Sequence, residues 1–348
     1  MGALGDQFPT LLDVARVMDP QGRIPSIAEV LQEYNDILDD IPWIEGNLPT
    51  GHLSVVRTSK PAGSWRMLNQ GITASKATTG QITNTCGMLE ALSHIDCDLA
   101  MLNGNTEAFR FSQDKAFIEG LSDTLSDTLV YGNVSVNPER FDGLASRYFS
   151  LGTTYTTSSQ LISGGGTGSD NTSIWLVGWA PGKAYGIYPK GSKAGLMHED
   201  DGKITISDPN NSGSFMKVYQ SRFQWKAGIA IDDYRYVVRI CNIDVSALLT
   251  ASDSSDTSAN IIKLMIQALG KMPPRAGVRP VFYMNETVQT MLSVKLLDKS
   301  NVWLSMGEIK GNPVFRMNDV LMFQGVPCRR IDSILSTEAT ITTATVAT

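Results

Sequence analysis

The sequence predicts an α+β fold, and three observations carry that reading. EAFRFSQDKAFIEGLSDTLSDTLVY (Glu107 to Tyr131) has helical spacing of apolar residues, whereas SFMKVYQSRFQWKAG and YRYVVRICNID alternate as strands do. Beyond them helical and strand patterns interleave with no internal repeat. At 348 residues the chain has room for about two domains or one elaborated domain.

In SIAEVLQEYNDILDD, residues Ile27, Val30, Leu31, Tyr34, Ile37 and Leu38 share one helical face, and Ser26 with Glu29 forms a capping box. TLLDVARVM before it is a weaker helical segment, with QGRIP as a hinge between the two. Residues 1–46 therefore read as an arm.

Residues 47–76 read as a long hairpin, LSVVR against SWRML around the turn Lys60-Pro61-Ala62-Gly63. A two-stranded ribbon is marginal in water, so this one needs support. Trp65 and Met67 share one side. Burying a tryptophan's roughly 150–250 Å² gains at most about 4–6 kcal/mol. Two supports fit, another subunit or the ribbon's own domain.

The long helix places Ile118, Leu121, Leu125 and Leu129 on one face and Lys115, Glu119, Ser122 and Ser126 on the other. YGNVSVNPERFDG is a turn-rich exit, so a domain boundary is expected near 132–140. LASRYFSLGTTYTTSSQLISGGGTGSDNTS opens a Gly, Ser and Thr-rich region.

Among the later strands, Phe215, Tyr219, Phe223 and Trp225 form one face and Tyr236, Val238 and Ile240 another. If residue 226 pairs with 235, Lys226, Arg235, Arg222 and Arg239 line up as a basic stripe, and like charges opposite one another are unfavourable. Carboxylates, including those of a neighbouring subunit, would relieve it. Side chains splayed into water would do so equally. The remainder reads as a helix in ANIIKLMIQALGKM stopped by Pro273-Pro274, a strand in VRPVFYMN, a helix in ETVQTMLSVKLL and a hairpin in PVFRMNDVLMFQGVPCRRID. STEATITTATVAT is a tail or an edge strand.

A net charge of −6 and a pI near 5.2 argue against an electrostatically driven nucleic-acid binder. Four scattered cysteines suit a reducing compartment, and Cys86, His94 and Cys97 have no zinc-site spacing. MGALGD has neither a secretory nor a myristoylation pattern, and no apolar run reaches membrane-spanning length, so a soluble protein is expected.

WLVGWAPGKAYGIYPKG contains a Gly-Lys pair that invites a phosphate-loop reading. The Gly178 to Gly182 spacing is one residue short, however, Ala184 replaces the needed hydroxyl, and Pro189 interrupts the required helix. A hairpin fits better, with Ile174 to Trp179 as one strand, Pro181-Gly182 at the centre of a type II turn and Ala184 to Tyr188 returning. SGGGTGSD reads as a surface loop rather than a dinucleotide fingerprint. His52, His94 and His198 have no serine elbow beside them, and His198-Glu199-Asp200-Asp201-Gly202 reads as an acidic turn. No catalytic, cofactor-binding or metal-ligating residues are expected, and no cofactor.

WLVGWAPGKAYGIYPKG, FQWKAGIAIDDYRYVVRICNID and MNDVLMFQGVPCRRID, taken with the order of elements, resemble the major capsid proteins of tailed bacteriophages with the HK97-like fold. The resemblance spans nearly the whole chain. It implies an N-terminal arm (1–46), an extended E-loop hairpin (47–76), a peripheral domain with a long spine helix (77–140 and 213–257), an axial domain (141–212 and 258–325) and a C-terminal segment (326–348). The function it implies is self-assembly into hexamers and pentamers of an icosahedral shell around double-stranded DNA, without sequence-specific binding. Scaffolding, portal and decoration proteins are candidate further partners, no membrane is implied, and the location is the virion capsid, assembled in the host bacterial cytoplasm. Arg57, Lys60, Trp65, Arg66, Lys183, Arg222, Arg235 and Arg239 are the expected inter-subunit contacts. An encapsulin-type compartment and a cytosolic enzyme with a site in the Gly-rich region are the alternatives.

Overall fold

The computed structural model describes residues 35–101, 106–208, 213–250, 260–296, 304–307 and 320–343. The first elements are α1 (Ile37–Asp40), β1 (Trp43–Glu45), β2 (Gly51–Ser59), β3 (Thr78–Thr85), β4 (Gly87–Asp96), α2 (Cys97–Met101) and α3 (Thr106–Tyr131). A short α4 (Leu144–Arg147) leads to β5 (Leu161–Ser163), β6 (Asn171–Trp179), β7 (Ala184–Tyr188), β8 (Leu196–Ser207), β9 (Phe215–Ile231) and β10 (Val237–Asp244). Then come α5 (Val245–Thr250), α6 (Ile261–Lys271), β11 (Arg279–Met284), α7 (Glu286–Leu296), β12 (Leu304–Gly307), β13 (Val320–Phe323) and β14 (Val326–Arg330). The arm's capping box at Ser26, the segment PVFRMN and the last five residues lie outside the described residues.

The chain divides into two compact units, and the larger draws on Tyr34–Gly87, Ser126–Ala194 and Ala227–Thr348. Its centre is β6, buried at every position, with neighbours on both edges and the apolar run of residues 174–177 where the sheet is covered on both faces. Antiparallel β10 lies along one edge of β6 and antiparallel β11 along the other. Parallel β5 extends the sheet beyond β10, and parallel β14 then antiparallel β13 and β12 extend it beyond β11. One face, with Ile174, Leu176, Val238, Ile240 and Phe282, packs on Leu264, Met265, Ala268 and Leu269 of α6 and on Val288 and Leu292 of α7. α6 begins where the Asn260 side chain accepts the Lys263 N–H at 3.1 Å and ends just before Pro273-Pro274, which cannot continue a helix.

A second strand set in this unit places β7 between parallel β1 and antiparallel β9. It meets β6 only at Trp179 and Ala184, so the expected hairpin of Ile174–Trp179 with Ala184–Tyr188 is not a ladder. The turn itself is as expected. Lys183 N–H donates to Ala180 O at 3.1 Å, and Gly182 takes φ +72, which type II geometry demands at that position.

The smaller unit includes Met88–Leu125 and Gly195–Lys226. Its sheet runs β8, β9, β4, and α3 packs on one face, with Phe117 stacked on Phe223 at 6.1 Å and a small core of Ile95, Ala100 and Phe109. The predicted face of α3 holds at Leu121, Leu125 and Leu129, all buried, but Ile118 is exposed and Ser126, placed on the polar face, is buried.

Four further expectations are corrected. β2 pairs with β3, from Gly51 opposite Thr85 to Ser59 opposite Thr78, and not with SWRML. The chain turns at Met67–Gln70, at the end of the predicted strand, where Asn69 takes φ 67, because asparagine tolerates the left-handed region. β9 and β10 are not paired, since β10 is buried on both faces and occupies the central sheet beside β6. β10, placed in the segment 213–257, is thus bonded to β6 of the segment 141–212. SGGGTGSD is a surface loop as expected, tied down where the Gly164 and Gly166 N–H groups donate to Cys241 O and Asn242 O at 2.7 and 2.8 Å. HEDDG lies within β8, where Gly202 at φ +69 accommodates a bulge instead of ending the strand. The Thr-rich tail is docked through residue 343, with Glu338 N–H donating to Asn171 O at 2.8 Å and Leu151 bridging Thr343. Among the described residues no helix is long and apolar enough to cross a membrane.

Candidate assembly interface

The hairpin of β2 and β3 is held at its root and bare at its tip. At the root, the Asn47 side chain clasps Leu53, donating to its O at 2.8 Å and accepting from its N at 2.7 Å. Asn84, buried on β3, accepts from Arg147 Nη1 at 2.9 Å, and Arg147 Nη2 also donates to Ile229 O at 3.1 Å. The His52 ring meets Tyr185 edge-on at 5.9 Å, and the Tyr185 hydroxyl donates to Asp232 at 2.9 Å. Burial, and then the adjacent carboxylate, push the Tyr185 phenol up to about 12. These bonds fix the direction in which the ribbon leaves the sheet.

From Ser54 and its partner Ile82 outward, the large apolar side chains of the ribbon are left uncovered. Trp65 is fully exposed and Leu68 is 93% exposed, with Met67, Ile72, Val55 and Ile82 also exposed. Scattered surface leucines are ordinary, but six large apolar side chains on one ribbon mark an interaction surface. Arg57 and Lys60 are exposed on the same ribbon, and Arg66 reaches only to Gln70 O at 3.3 Å.

The other expected contact residues are dispersed. Lys183 Nζ lies 3.5 Å from Asp233 and 4.8 Å above the Tyr236 ring. Arg235 grips the same Asp233 with two bonds of 2.9 and 2.7 Å, which hold that carboxyl below the usual range. Arg222 forks onto Glu90 at 3.1 and 3.0 Å, and Glu90, which also takes the Gln224 amide, is likewise held low, chiefly by the hydrogen bonds. Arg239 is buried, donating to Ser173 Oγ at 3.1 Å, Tyr148 O at 3.0 Å and Glu338 at 3.0 Å, with its guanidinium 4.7 Å from the Trp175 ring. The basic stripe does not form, because the two strands that would carry it are not neighbours. The carboxylates that these arginines face belong to their own chain.

Sequence reasoning missed a second buried cluster, around Asp40. Its carboxylate lies 3.0 Å from Arg329 Nε and 3.2 Å from Arg279 Nη2, and it accepts from the Tyr283 hydroxyl at 2.9 Å, which in turn accepts from Trp179 Nε1 at 2.7 Å. Burial still outweighs the two arginines and leaves the Asp40 carboxyl above its ordinary value. The signal was present as arginines at both ends of otherwise apolar strands. A polar recess of about 540 Å³ lined by Tyr131, Asp142, Arg147 and Phe149 contains no histidine or cysteine, and the described residues hold no group of three metal-ligating side chains.

Residues 19–342 match the family model for major capsid protein GP7. The chain is similar to one in the structure of bacteriophage Epsilon15, at 29% identity and a TM-score of 0.77, covering 98% of this chain and 99% of that one. More distant similarities include a capsid chain of bacteriophage JBD30 (11% identity, 90% and 93% covered, TM-score 0.42). Another is a chain of the SrpI encapsulin complex of Synechococcus elongatus (9% identity, 73% and 99% covered, TM-score 0.45). At those scores neither carries an argument. No curated protein matches the sequence.

Proposed function

The chain belongs to the major capsid protein GP7 family and is a structural shell protein with the HK97-like capsid fold, not an enzyme; on that premise we propose that its β2–β3 hairpin builds the shell. The observation that carries this is Trp65, a side chain of the largest apolar area placed wholly in solvent at the tip of a ribbon with an anchored root. A neighbouring copy is the surface that covers it. Copies of the chain form the virion capsid.

The finer reading has hexamers and pentamers closing an icosahedral shell around double-stranded DNA, assembled in the host bacterial cytoplasm. Scaffolding, portal and decoration proteins act on that shell. Residues 47–76 serve as the E-loop, 77–140 and 213–257 as the peripheral domain and 141–212 with 258–325 as the axial domain. Arg57, Lys60, Trp65 and Arg66 meet the neighbour at the hairpin. Lys183, Arg222 and Arg235 reach it secondarily, since each already faces a carboxylate of its own chain. Arg239 serves the interface only from within, through the strand it fixes.

Electron microscopy of the purified chain tests this reading. Closed shells or capsomers are expected from the native sequence, with nuclease-protected DNA in filled particles. Trp65→Ala is expected to leave the subunit folded and abolish shells. A native chain that stays a 37.8 kDa monomer under every assembly condition overturns the reading, and protein cargo in place of DNA would move it to an encapsulin-type compartment.

A further inference from the structure

The hairpin differs from the rest of the molecule in charge as well as in exposure. Acidic residues outnumber basic ones in the chain, 35 to 29, yet none of residues 46–89 is Asp or Glu. The same stretch carries Arg57, Lys60, Arg66 and Lys76, all exposed. With these four positive charges set aside, the remainder of the chain carries −10 instead of −6. The described part of this ribbon forms no salt bridge with its own chain. Elsewhere, Arg110, Arg140, Arg222, Arg235, Arg239, Arg279, Arg329 and Arg330 all have carboxylate partners.

We propose that the hairpin is a basic arm that docks on the acidic body of a second copy of this chain, so that long-range attraction steers the arm before its apolar tip is buried. The proposal rests on the reading of the hairpin as an assembly contact and adds what drives and regulates that contact. Two copies of −6 repel each other as wholes, and a segregated positive arm turns that repulsion into attraction along one approach. Nucleic acid is the other polyanion such an arm could meet. The second copy is favoured because Trp65, Met67, Leu68 and Ile72 alternate with the basic residues. A phosphate backbone would neutralise the charges and leave those side chains wet, whereas a protein surface covers both.

Salt is the direct handle, since the Debye length falls from about 10 Å at 0.1 M to about 3 Å at 1 M. Capsomers released from shells and returned to assembly conditions are followed by light scattering from about 0.05 to about 0.5 M NaCl. The native chain is expected to assemble at least ~10-fold more slowly at the upper concentration, and the R57Q/K60Q/R66Q/K76Q variant to show the slow rate throughout. In parallel, shells formed in cells from mixed isotopically light and heavy chains are treated with a carbodiimide. Mixed-isotope crosslinks from Lys60 or Lys76 to carboxylates are expected, by mass spectrometry of the intact shell.

A variant with native rates and native salt dependence overturns charge steering. If Trp65→Ala still abolishes shells in that case, the hairpin contact survives and only its electrostatic drive is lost. If Trp65→Ala also assembles normally, the underlying reading fails with it. Crosslinks confined to single chains overturn the proposal, and so does a quadruple variant whose sole defect is reduced DNA content, which would assign the arm to the genome.

Discussion

Arg239 and Glu338 meet inside the larger unit, Nη2 to Oε2 at 3.0 Å, each side chain only 5% exposed. Ser173 and Tyr131 donate hydroxyls to the same carboxylate, and Arg239 sits beside Trp175 with a further bond to Tyr148 O. The C-terminal segment is thereby bonded to the central strands. Removing one partner leaves the other buried and uncompensated, which typically costs about 3–5 kcal/mol. Glu338→Ala is expected to lose that much in urea unfolding of the unassembled chain. An Arg239→Met, Glu338→Leu pair should lose clearly less than the sum of its singles. A single-variant loss well under about 1 kcal/mol would show that the network relaxes around the missing carboxylate.

Asp114 on α3 stands in the opposite situation. Its Oδ1 is buried with no hydrogen-bond partner among the described residues, while Oδ2 accepts from Ser221 at 3.4 Å. Burial raises its carboxyl above 3.8, more than His198 and Arg110 lower it. The folded chain therefore holds this proton more tightly than the unfolded chain does. Its contribution is fully present at low pH and is lost as pH rises through the raised value. Asp114→Asn is expected to stabilise the chain at pH 7 by on the order of 1 kcal/mol, with the gain vanishing as pH falls below the ordinary carboxylate value. Chemical unfolding at pH 7 and near pH 4 measures it. A gain that grows on acidification would contradict the assignment.

Two glycines near β7 separate backbone strain from crowding. Gly182 has φ +72 and open space where a methyl group would stand, so Gly182→Ala is expected to cost about 1 kcal/mol through conformation alone. At Gly186 a Cβ would fall 2.5 Å from Trp43 Cε3 and 2.6 Å from Ile41 Cγ2. Gly186→Ala should cost more, about 1–3 kcal/mol, by forcing β1 off its neighbour. Thermal unfolding of the two variants decides the order, and a larger loss at Gly182 would reverse it.

Asn285 caps α7 by accepting the Val288 N–H at 3.0 Å while its amide donates to Thr172 and Ser336 at 3.1 and 3.0 Å. Asn260 makes only the capping bond to α6 among the bonds described, at 3.1 Å. Asn260→Ala is expected to cost about 1 kcal/mol, an ordinary cap. Asn285→Ala should cost roughly twice that, because the buried Thr172 hydroxyl and the half-buried Ser336 hydroxyl lose their partner too. Equal losses in urea midpoints would mean that the amide bonds contribute nothing.

What could be read from the chain follows the range of the force involved. α3, α6, β11 and α7 were legible because periodicity and caps are local. β6 and β10 were legible as strands, but not as partners, since strands buried on both faces carry no solvent face to set their pairing. SWRML failed as a strand because β2 takes the more distant segment Thr78–Thr85 as its partner, a choice that local alternation does not encode. Arg239 looked like part of a surface stripe, and only its distant acid in a Thr-rich segment reveals a buried pair. Trp65 was different, for the sequence left open whether another subunit or its own domain covers it, and the fold leaves it in solvent.

The pairing of Arg239 with Glu338 spans 99 residues, and that of Ser173 with Glu338 spans 165. During synthesis β6 and β10 thus leave the ribosome with a guanidinium that has no counter-charge, and they wait many seconds for one at typical elongation rates of about 5–20 residues per second. The buried charge at the sheet's centre consequently gains its partner only late in synthesis. A subunit that offers its hairpin to neighbours before Glu338 arrives does so with an unfinished core, which makes order of synthesis a check on when this chain becomes fit to assemble.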